Sequence, residues 1–203
     1  MQKAKIVEIL IKNYAFTYEC IDKLNIFHDF LLNYNSKYNL ISKSTEKDIW
    51  QRHFLDSAQI LRFIGNKSLK ISDFGTGAGF PGLIIAIFGQ KYKFHVKLYE
   101  KSPVKREFLE KLREKIKVKF TIHPNVYSDR IISDIIVCRA FKKLDEIFKI
   151  SREIIERPHK IIILKGKNAQ NEINKVSLAK DYSYKLINSI TNNESKIIIV
   201  NAK

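Results

Sequence analysis

The chain has 203 residues, 45% of them hydrophobic and 11% aromatic, with a formal net charge of +16. Length and composition suffice for one domain with a real core, and the presence of only four prolines argues against a disordered chain. The positive charge favours polyanionic partners such as RNA, DNA or an anionic membrane; a lysine-rich compositional bias is the alternative explanation.

Two cysteines, Cys20 and Cys138, are too few for a disulfide framework or a zinc site. They are predicted to be buried thiols in a reducing compartment. The N-terminus lacks the apolar segment of a signal peptide, and the longest apolar run, residues 83–88, is too short to cross a bilayer. We therefore expect a cytoplasmic protein without a membrane segment. No residues at ligand spacing indicate a metal site.

The first part of the chain, residues 1–66, is predicted to be helical. Apolar residues at helical spacing indicate helices in 6–13, 18–33 and 46–64. Within the last of these, His53 is expected to be a packed helix residue that bonds to Asp56 or to the backbone, and Trp50 is expected to lie in the core.

From residue 67 onward, predicted strands alternate with predicted helices. Strands are predicted at 69–74, 94–100, 118–124, 133–141 and 160–166. Residues 184–190 and 195–200 read as an antiparallel hairpin, and Ser102 and Pro103 mark a helix start. Repeated strand–helix units imply an α/β domain over 67–203 whose sheet is mostly parallel.

Four of the seven glycines crowd into SDFGTGAGFPGLIIAIF, residues 72–88. The segment fits two patterns: G-x-G-x-x-G from Gly77, typical of dinucleotide binding, and D-x-G-x-G-x-G from Asp73, typical of S-adenosylmethionine binding. Asp73 favours the second pattern, because a carboxylate at the strand end would repel a pyrophosphate and would suit an ammonium group. The glycines let the backbone turn sharply and pass close to a ligand.

A second acidic residue, Glu100, ends the next predicted strand. It lies where nucleotide-binding folds place an acid that accepts hydrogen bonds from ribose hydroxyls. The basic series that follows it, Lys101, Lys105 and Arg106, is interpreted as a solvated helix face.

With these signals in place, five segments resemble the bacterial small-subunit rRNA (guanine-N7)-methyltransferases, the family also called glucose-inhibited division protein B. The segments are YNLISKSTEKDIWQRHFLDS at 38–57, DFGTGAGFPGL at 73–83, KREFL at 105–109, CRAF at 138–141 and LKGK at 164–167. They occur in the family's order and cover nearly the whole chain.

The resemblance implies a Rossmann-like, seven-stranded methyltransferase fold with a C-terminal antiparallel hairpin, behind a small helical N-terminal region. It implies methyl transfer from S-adenosylmethionine to N7 of one guanine in the decoding-region loop of 16S rRNA, position 527 in the usual rRNA numbering. The expected partner is 16S rRNA or a precursor of the small ribosomal subunit, and the protein is expected to be a monomer.

The glycine pattern and the resemblance together define the candidate site. The expected cofactor-binding residues are Asp73, Gly75, Gly77, Ala78, Gly79, Phe80, Glu100, Val126, Tyr127 and Arg139. Arg139 and Lys165, near the ends of two successive predicted strands, are the candidate catalytic residues. Arg139 would recognise guanine O6 or a phosphate, and Lys165 a phosphate or the cofactor carboxylate. Guanine N7 carries a free lone pair, so no general base is needed.

The chain departs from the family pattern in three places, of which the mildest is Glu100 where the family more commonly has an aspartate. It has Asn125-Val126-Tyr127 where the family has an arginine and an acid, and Ser195 where the family often has an arginine. These departures motivate an alternative, a basic RNA-binding assembly factor that has lost catalysis. The overlapping glycine pattern leaves a weaker alternative, a NAD-binding oxidoreductase. Cys138 lies in an apolar strand and is interpreted as structural rather than as a nucleophile.

Overall fold

The computed structural model describes residues 1–65, 67, 69–127, 131–176 and 182–202. Asn66, at the predicted boundary between the helical region and the α/β domain, lies outside these ranges. In the part of the chain that is described, no helix is both long and apolar enough to cross a membrane.

Seven strands form a single sheet within the described ranges. The strands are β1 (Lys70–Phe74), β2 (His95–Tyr99), β3 (Thr121–His123), β4 (Ile135–Arg139), β5 (His159–Lys165), β6 (Tyr182–Asn188) and β7 (Lys196–Ala202). Their order across the sheet is β3-β2-β1-β4-β5-β7-β6. The first five are parallel, and β7 runs antiparallel to both β5 and β6. The predicted mostly parallel sheet with a C-terminal antiparallel hairpin is therefore confirmed.

The centre of the sheet is buried on both faces. Ile135–Cys138 of β4 and Ile161–Leu164 of β5 are all buried, as expected for apolar strands covered by helices on each side. Because the strand order reverses between β1 and β4, the carboxyl ends of these strands open onto the crevice where open α/β sheets bind ligands.

Helices cover the sheet. They are α1 (Lys3–Tyr14), α2 (Tyr18–Tyr38), α3 (Asp56–Ala58, a single turn), α4 (Gly82–Gly89), α5 (Pro103–Ile116), α6 (Leu144–Ile154) and α7 (Ala169–Lys175). The predicted start of α5 is confirmed: Ser102 Oγ accepts from the Lys105 N–H and Pro103 is the first helical residue. Cys20 and Cys138 are both buried free thiols, and burial raises the pKa of Cys138.

The regular helix predicted over 46–64 is wrong. The chain there forms a 3-10 segment at Lys43–Asp48, a π-helical turn at Trp50–Leu55, α3, and a second 3-10 segment at Gln59–Phe63. Helical spacing in a sequence does not distinguish these pitches, whereas tertiary contacts do. π-helical turns occur frequently at functional sites, and here the turn buries Trp50 and Phe54 while His53 reaches the crevice.

Helix α2 packs against α4 and α5 and against Phe80 of the glycine-rich loop. Phe27 of α2 stacks on Phe80 with ring centroids 5.2 Å apart and meets Phe54 at 5.3 Å. One apolar cluster contains these rings together with residues of α4 and α5. The division into a helical region, 1–66, and a methyltransferase domain, 67–203, stays a prediction.

Candidate functional site

The glycine-rich loop, residues 75–81, leaves the carboxyl end of β1. Gly75 and Gly77 have φ angles of +70° and +60°, which only glycine adopts readily. The N–H groups of Gly75 and Thr76 donate to Tyr99 O at 2.9 and 3.0 Å, so the loop is tied to the end of β2. A Cβ on Gly75 would lie 2.3 Å from the Phe141 ring, whereas one on Gly77 would point into open space.

Asp73 lies behind the loop and is not among the residues that line the cavity over the loop, described below. It is fully buried, and its Oδ2 accepts the Gly82 N–H at 2.7 Å, at the first residue of α4. Burial raises the pKa of Asp73 to about 7. The structure therefore places this carboxyl group where it links β1 to α4.

Glu100 holds the other side of the loop. Its Oε2 accepts the Gly77 N–H at 2.9 Å and its Oε1 accepts the Ser102 N–H at 2.8 Å. Each carboxylate oxygen has two lone pairs, so acceptor capacity remains for a ligand. The following basic series is only in part a solvated face: Lys101 is exposed, whereas Lys105 and Arg106 are half-buried. Lys101 and Lys105 line the adjacent cavity, and Arg106 donates to Glu100 O at 2.9 Å.

A cavity of about 390 Å³, here the first cavity, opens over the loop. Seven of the ten expected cofactor residues line it: Gly75, Gly77, Ala78, Phe80, Glu100, Val126 and Arg139. Asp73, Gly79 and Tyr127 do not line it. The Tyr127 side chain is 54% exposed, and its hydroxyl group donates to Glu153 at 3.5 Å.

The N-terminal region also contributes to this cavity, through Leu40, Ile41 and His53. The segment 38–57 was recognisable in the sequence, but its place at the cavity was not, because the contact joins segments that are distant in the chain. Asn125 lines the cavity beside Val126.

Arg139 is the centre of the polar contacts at the crevice. Its Nη2 lies 2.8 Å from His53 Nδ1, and its Nη1 donates to Arg52 O at 3.0 Å and to Asp56 Oδ2 at 3.5 Å. The guanidinium carbon lies 4.9 Å from the centre of the Phe80 ring. These contacts hold the guanidinium group in one plane against the loop.

The predicted hydrogen bond from His53 to Asp56 or to the backbone is wrong. His53 bonds to Arg139 through Nδ1 and to Thr45 Oγ1 through Nε2, at 2.9 Å. Burial, with the nearby charges of Arg139 and Arg52, lowers the pKa of His53 to about 3. The imidazole is therefore neutral at physiological pH, with Nδ1 accepting from Arg139 and Nε2–H donating to Thr45.

A second cavity, of about 320 Å³, lies on the other side of this cluster. His53, Arg139 and Ala140 line both cavities and form the wall between them. Lys165 lines the second cavity only. Its Nζ donates to the Glu172 carboxylate at 2.8 and 3.1 Å and to Lys142 O at 2.8 Å, so its charge is already balanced.

The fold and the loop define the class, a Rossmann-like methyltransferase that uses S-adenosylmethionine. A putative S-adenosylmethionine-dependent methyltransferase from Methanococcus maripaludis has the same fold, with a TM-score of 0.56 over 77% of this chain and 88% of that chain at 15% identity. The Gly82 N–H, which a dinucleotide pyrophosphate would need, is taken by Asp73. The NAD-binding alternative therefore loses its support.

Sequence comparison identifies the family to which this chain belongs. The family described as rRNA small subunit methyltransferase G matches residues 20–197. Relatives named ribosomal RNA small subunit methyltransferase G are 34% identical in Orientia tsutsugamushi, strain Ikeda, over 96% of each chain. In Rickettsia typhi the identity is 38%, over 90% of this chain and 94% of the relative. The chain belongs to the rRNA small subunit methyltransferase G family, as the resemblance predicted.

Proposed function

We propose that this protein methylates N7 of one guanine in the decoding-region loop of 16S rRNA, position 527 in the usual numbering, with S-adenosylmethionine as the methyl donor. Family membership supports the rRNA substrate, since the relatives bear the name ribosomal RNA small subunit methyltransferase G. The observation that carries the choice of N7 is the wall between the two cavities, where the polar groups are already engaged.

The cofactor fits the first cavity. Gly75, Thr76, Gly77 and Ala78 all line it, so the backbone of the glycine-rich loop borders the space that the cofactor would occupy. The open space beside Gly77 lets the backbone approach a ligand, and Glu100 retains lone pairs for ribose hydroxyls. S-adenosylmethionine supplies an electrophilic methyl group on a positively charged sulfur.

The groups at the wall restrict which RNA atom can accept the methyl group. In the proposed reaction the N7 lone pair forms the bond to the methyl carbon, and the electrons of the broken C–S bond remain on sulfur. The guanine gains one positive charge and loses no proton, so no base is required. Proximity and alignment supply the rate.

The titratable groups at the wall are poor general bases. His53 is neutral, but its Nδ1 lone pair is used by Arg139 and its pKa is about 3. Asp56 accepts from Gln59, Thr191 and Arg139. Because the site offers no free general base, it can methylate only an acceptor atom that has no proton to lose. We assign Arg139 to guanine O6 or a phosphate, because a donor aimed at N7 would block its lone pair.

The proposal is tested by mapping N7-methylguanosine in small-subunit rRNA that lacks the modification, after incubation with the protein and labelled cofactor. We expect one modified base, and we expect Gly77→Asp to abolish transfer and S-adenosylhomocysteine binding, because it adds a carboxylate beside Glu100 in the cavity. Asn33→Asp adds the same charge at an exposed position on α2 that lines neither cavity, and should behave as wild type. Tight RNA binding without any methylation would favour the assembly-factor alternative instead.

A further inference from the structure

A third cavity, of about 390 Å³, opens at the other end of β2 from the cofactor site. His95, the first residue of β2, lines it, whereas Tyr99, the last residue of the same strand, lines the first cavity. At about 3.3 Å per residue, the two residues lie roughly 13 Å apart along the strand. Among the described residues none lines both cavities, so a ligand of the third cavity is distinct from the cofactor.

Basic side chains surround the third cavity. Lys97, Arg113 and Lys119 line it together with His95 and Thr121. The sheet register pairs Lys97 of β2 with Thr121 of β3, and Lys119 precedes Thr121 by two residues. Because side chains alternate along a strand, these three residues face the same way at the edge of the sheet, while the residues between them are more deeply buried.

The two segments that build this edge contain no acidic residue. Residues 90–99 and 115–127 together hold six lysines and neither aspartate nor glutamate. A lysine-rich composition adds lysine throughout a chain but does not remove acids from particular segments, and the whole chain has 21 acidic residues. The positive charge at this edge is therefore a local feature.

Two of the cations at the cavity are uncompensated. Within the described ranges Lys97 and Lys119 form no ion pair, whereas Arg113 pairs with Glu110. Arg113 and Lys115 also lie in the last turn of α5, where cations offset the negative end of the helix dipole. Lys97 and Lys119 lie outside the helices, so their charges are available to an external anion.

A nucleic-acid backbone fits this surface better than a membrane does. A membrane-binding surface needs apolar side chains that insert among the lipids, and none of the exposed large apolar residues in the described part of the chain lines this cavity. Successive phosphates of one RNA strand can contact cations that are spaced along a sheet edge. The family to which the chain belongs acts on rRNA, as its description states.

We propose that the amino-terminal edge of β2 and β3 is a second RNA contact, where Lys97 and Lys119 bind phosphates of the rRNA backbone outside the methylated loop. This inference rests on the proposed function for the choice of rRNA and adds an anchoring surface to it. The contact holds the RNA and takes no part in methyl transfer, so its loss should raise KM for rRNA and leave kcat unchanged.

A double substitution tests the two lysines. Lys97→Gln combined with Lys119→Gln should reduce the slope of log K against log salt for rRNA binding by about 1.4, the value for two phosphate contacts in a single strand. The Kd for S-adenosylhomocysteine should stay within about twofold of wild type, which also reports that the cofactor site is folded. An unchanged slope would overturn the proposal.

A matched double variant controls for net charge. Lys175→Gln combined with Lys185→Gln removes the same charge from exposed positions on α7 and on β6, the strand at the opposite edge of the sheet. Its slope should equal that of wild type. A reduction as large as that of the Lys97 and Lys119 variant would show that net charge alone is responsible and would overturn the proposal.

A pair of substitutions at Thr121 tests the cavity itself. Thr121→Glu places a carboxylate beside Lys97 and should weaken rRNA binding at least about threefold through repulsion of the phosphates. Thr121→Gln introduces a neutral side chain of the same length and should bind as wild type. Both variants lose the contact from Thr121 Oγ1 to His123 Nε2 at 2.9 Å, so that loss cancels in the comparison. Equal affinities of the two variants would contradict the proposed phosphate contact.

The outcomes separate the two proposals, because RNA binding is measured without the cofactor. If the variants bind as predicted but the wild-type protein makes no N7-methylguanosine, the proposed function fails and the RNA contact stands. If methylation occurs and all variants bind as wild type, only the RNA contact fails. Binding of wild type to phosphatidylserine vesicles that is lost in the Lys97 and Lys119 variant, with unchanged rRNA binding, would assign the surface to a membrane and overturn the proposal.

Discussion

His53 and Arg139, 86 residues apart in the chain, meet with Nδ1 and Nη2 at 2.8 Å. The imidazole accepts this hydrogen bond because burial and two nearby arginines keep it neutral. The N-terminal region thus supplies the group that orients an arginine at the end of β4, and the wall between the cavities depends on both parts of the chain.

This contact predicts how stability depends on pH. The pKa of His53 is about 3 in the folded protein and 6.5 as its ordinary value. The contribution of this group is therefore present in full above pH 6.5 and is lost as the pH falls from 6.5 towards 3, because the unfolded chain takes up the proton first. The slope reaches about 1.4 kcal/mol per pH unit for one proton. Because the titration of Asp73 has the opposite sign over the same range, the His53 slope is obtained as the difference between wild type and a variant without the imidazole, measured by urea unfolding between about pH 6.5 and 4.5.

His53→Gln is the matched variant for that measurement. It retains a neutral hydrogen-bonding side chain but cannot titrate, so its slope should be smaller than that of the wild type by up to one proton. Identical slopes would show that His53 does not remain neutral in the folded protein.

Asp73 provides a test of its role behind the loop. Asp73→Asn keeps an oxygen for the Gly82 N–H and should bind S-adenosylhomocysteine within about threefold of wild type. Asp73→Ala leaves that N–H unsatisfied, which costs about 1–3 kcal/mol of folding stability. Calorimetric titration and thermal unfolding measure the two effects. A large loss of affinity in Asp73→Asn with normal stability would instead indicate that the charge contacts the cofactor.

The pH dependence of Asp73 has the opposite sign to that of His53. Its pKa is raised from 3.8 to about 7, so its ionisation disfavours the folded state increasingly as the pH rises from 3.8 through 7. The stability of Asp73→Asn relative to wild type should therefore rise over the same window. A constant difference would contradict the raised pKa.

Gly75 should not tolerate a side chain. Gly75→Ala places a Cβ 2.3 Å from the Phe141 ring and forces a φ of +70° on alanine. The conformational term alone costs about 1–2 kcal/mol, and displacement of Phe141 disturbs the first cavity. Gly166→Ala is the control for stability, because its Cβ would meet nothing within 4 Å. Chemical denaturation measures the free energy of unfolding of both variants. Equal values would contradict the predicted clash between the new Cβ and the Phe141 ring.

The buried amide of Gln59 joins the helical segment to the β6–β7 turn. Its Nε2 donates to Asp56 Oδ1 at 2.8 Å and to Ser189 Oγ at 3.0 Å, and its Oε1 accepts from the Ile190 N–H at 2.9 Å. Gln59→Ala leaves the Ile190 N–H without its acceptor and should cost about 1–3 kcal/mol.

Gln51 offers a comparison for that prediction. It makes a weaker contact with the same turn, to Thr191 O at 3.3 Å, so Gln51→Ala should cost less than Gln59→Ala. A larger loss of unfolding free energy in Gln51→Ala than in Gln59→Ala would contradict the assignment of Gln59 as the main link.

Much of the molecule follows from local patterns. Four features depend on residues that are close together in the chain: the alternation of strands and helices, the capped start of α5 at Ser102, the C-terminal hairpin and the glycine-rich bend. Their spacing and φ requirements can be recognised in the sequence. The family resemblance, carried by five such segments, identified the fold and the cofactor loop for the same reason.

The remaining features depend on contacts between distant residues. The π-helical turn at Trp50–Leu55, the bond from His53 to Arg139 and the neutralisation of Lys165 by Glu172 appear only when the segments pack together. Tyr127 faces solvent although its neighbour Val126 lines the cavity. Sequence determined which residues could build a methyl-transfer site; the tertiary structure decided which of them meet, because side-chain contacts, burial and charge balance are properties of the packed chain.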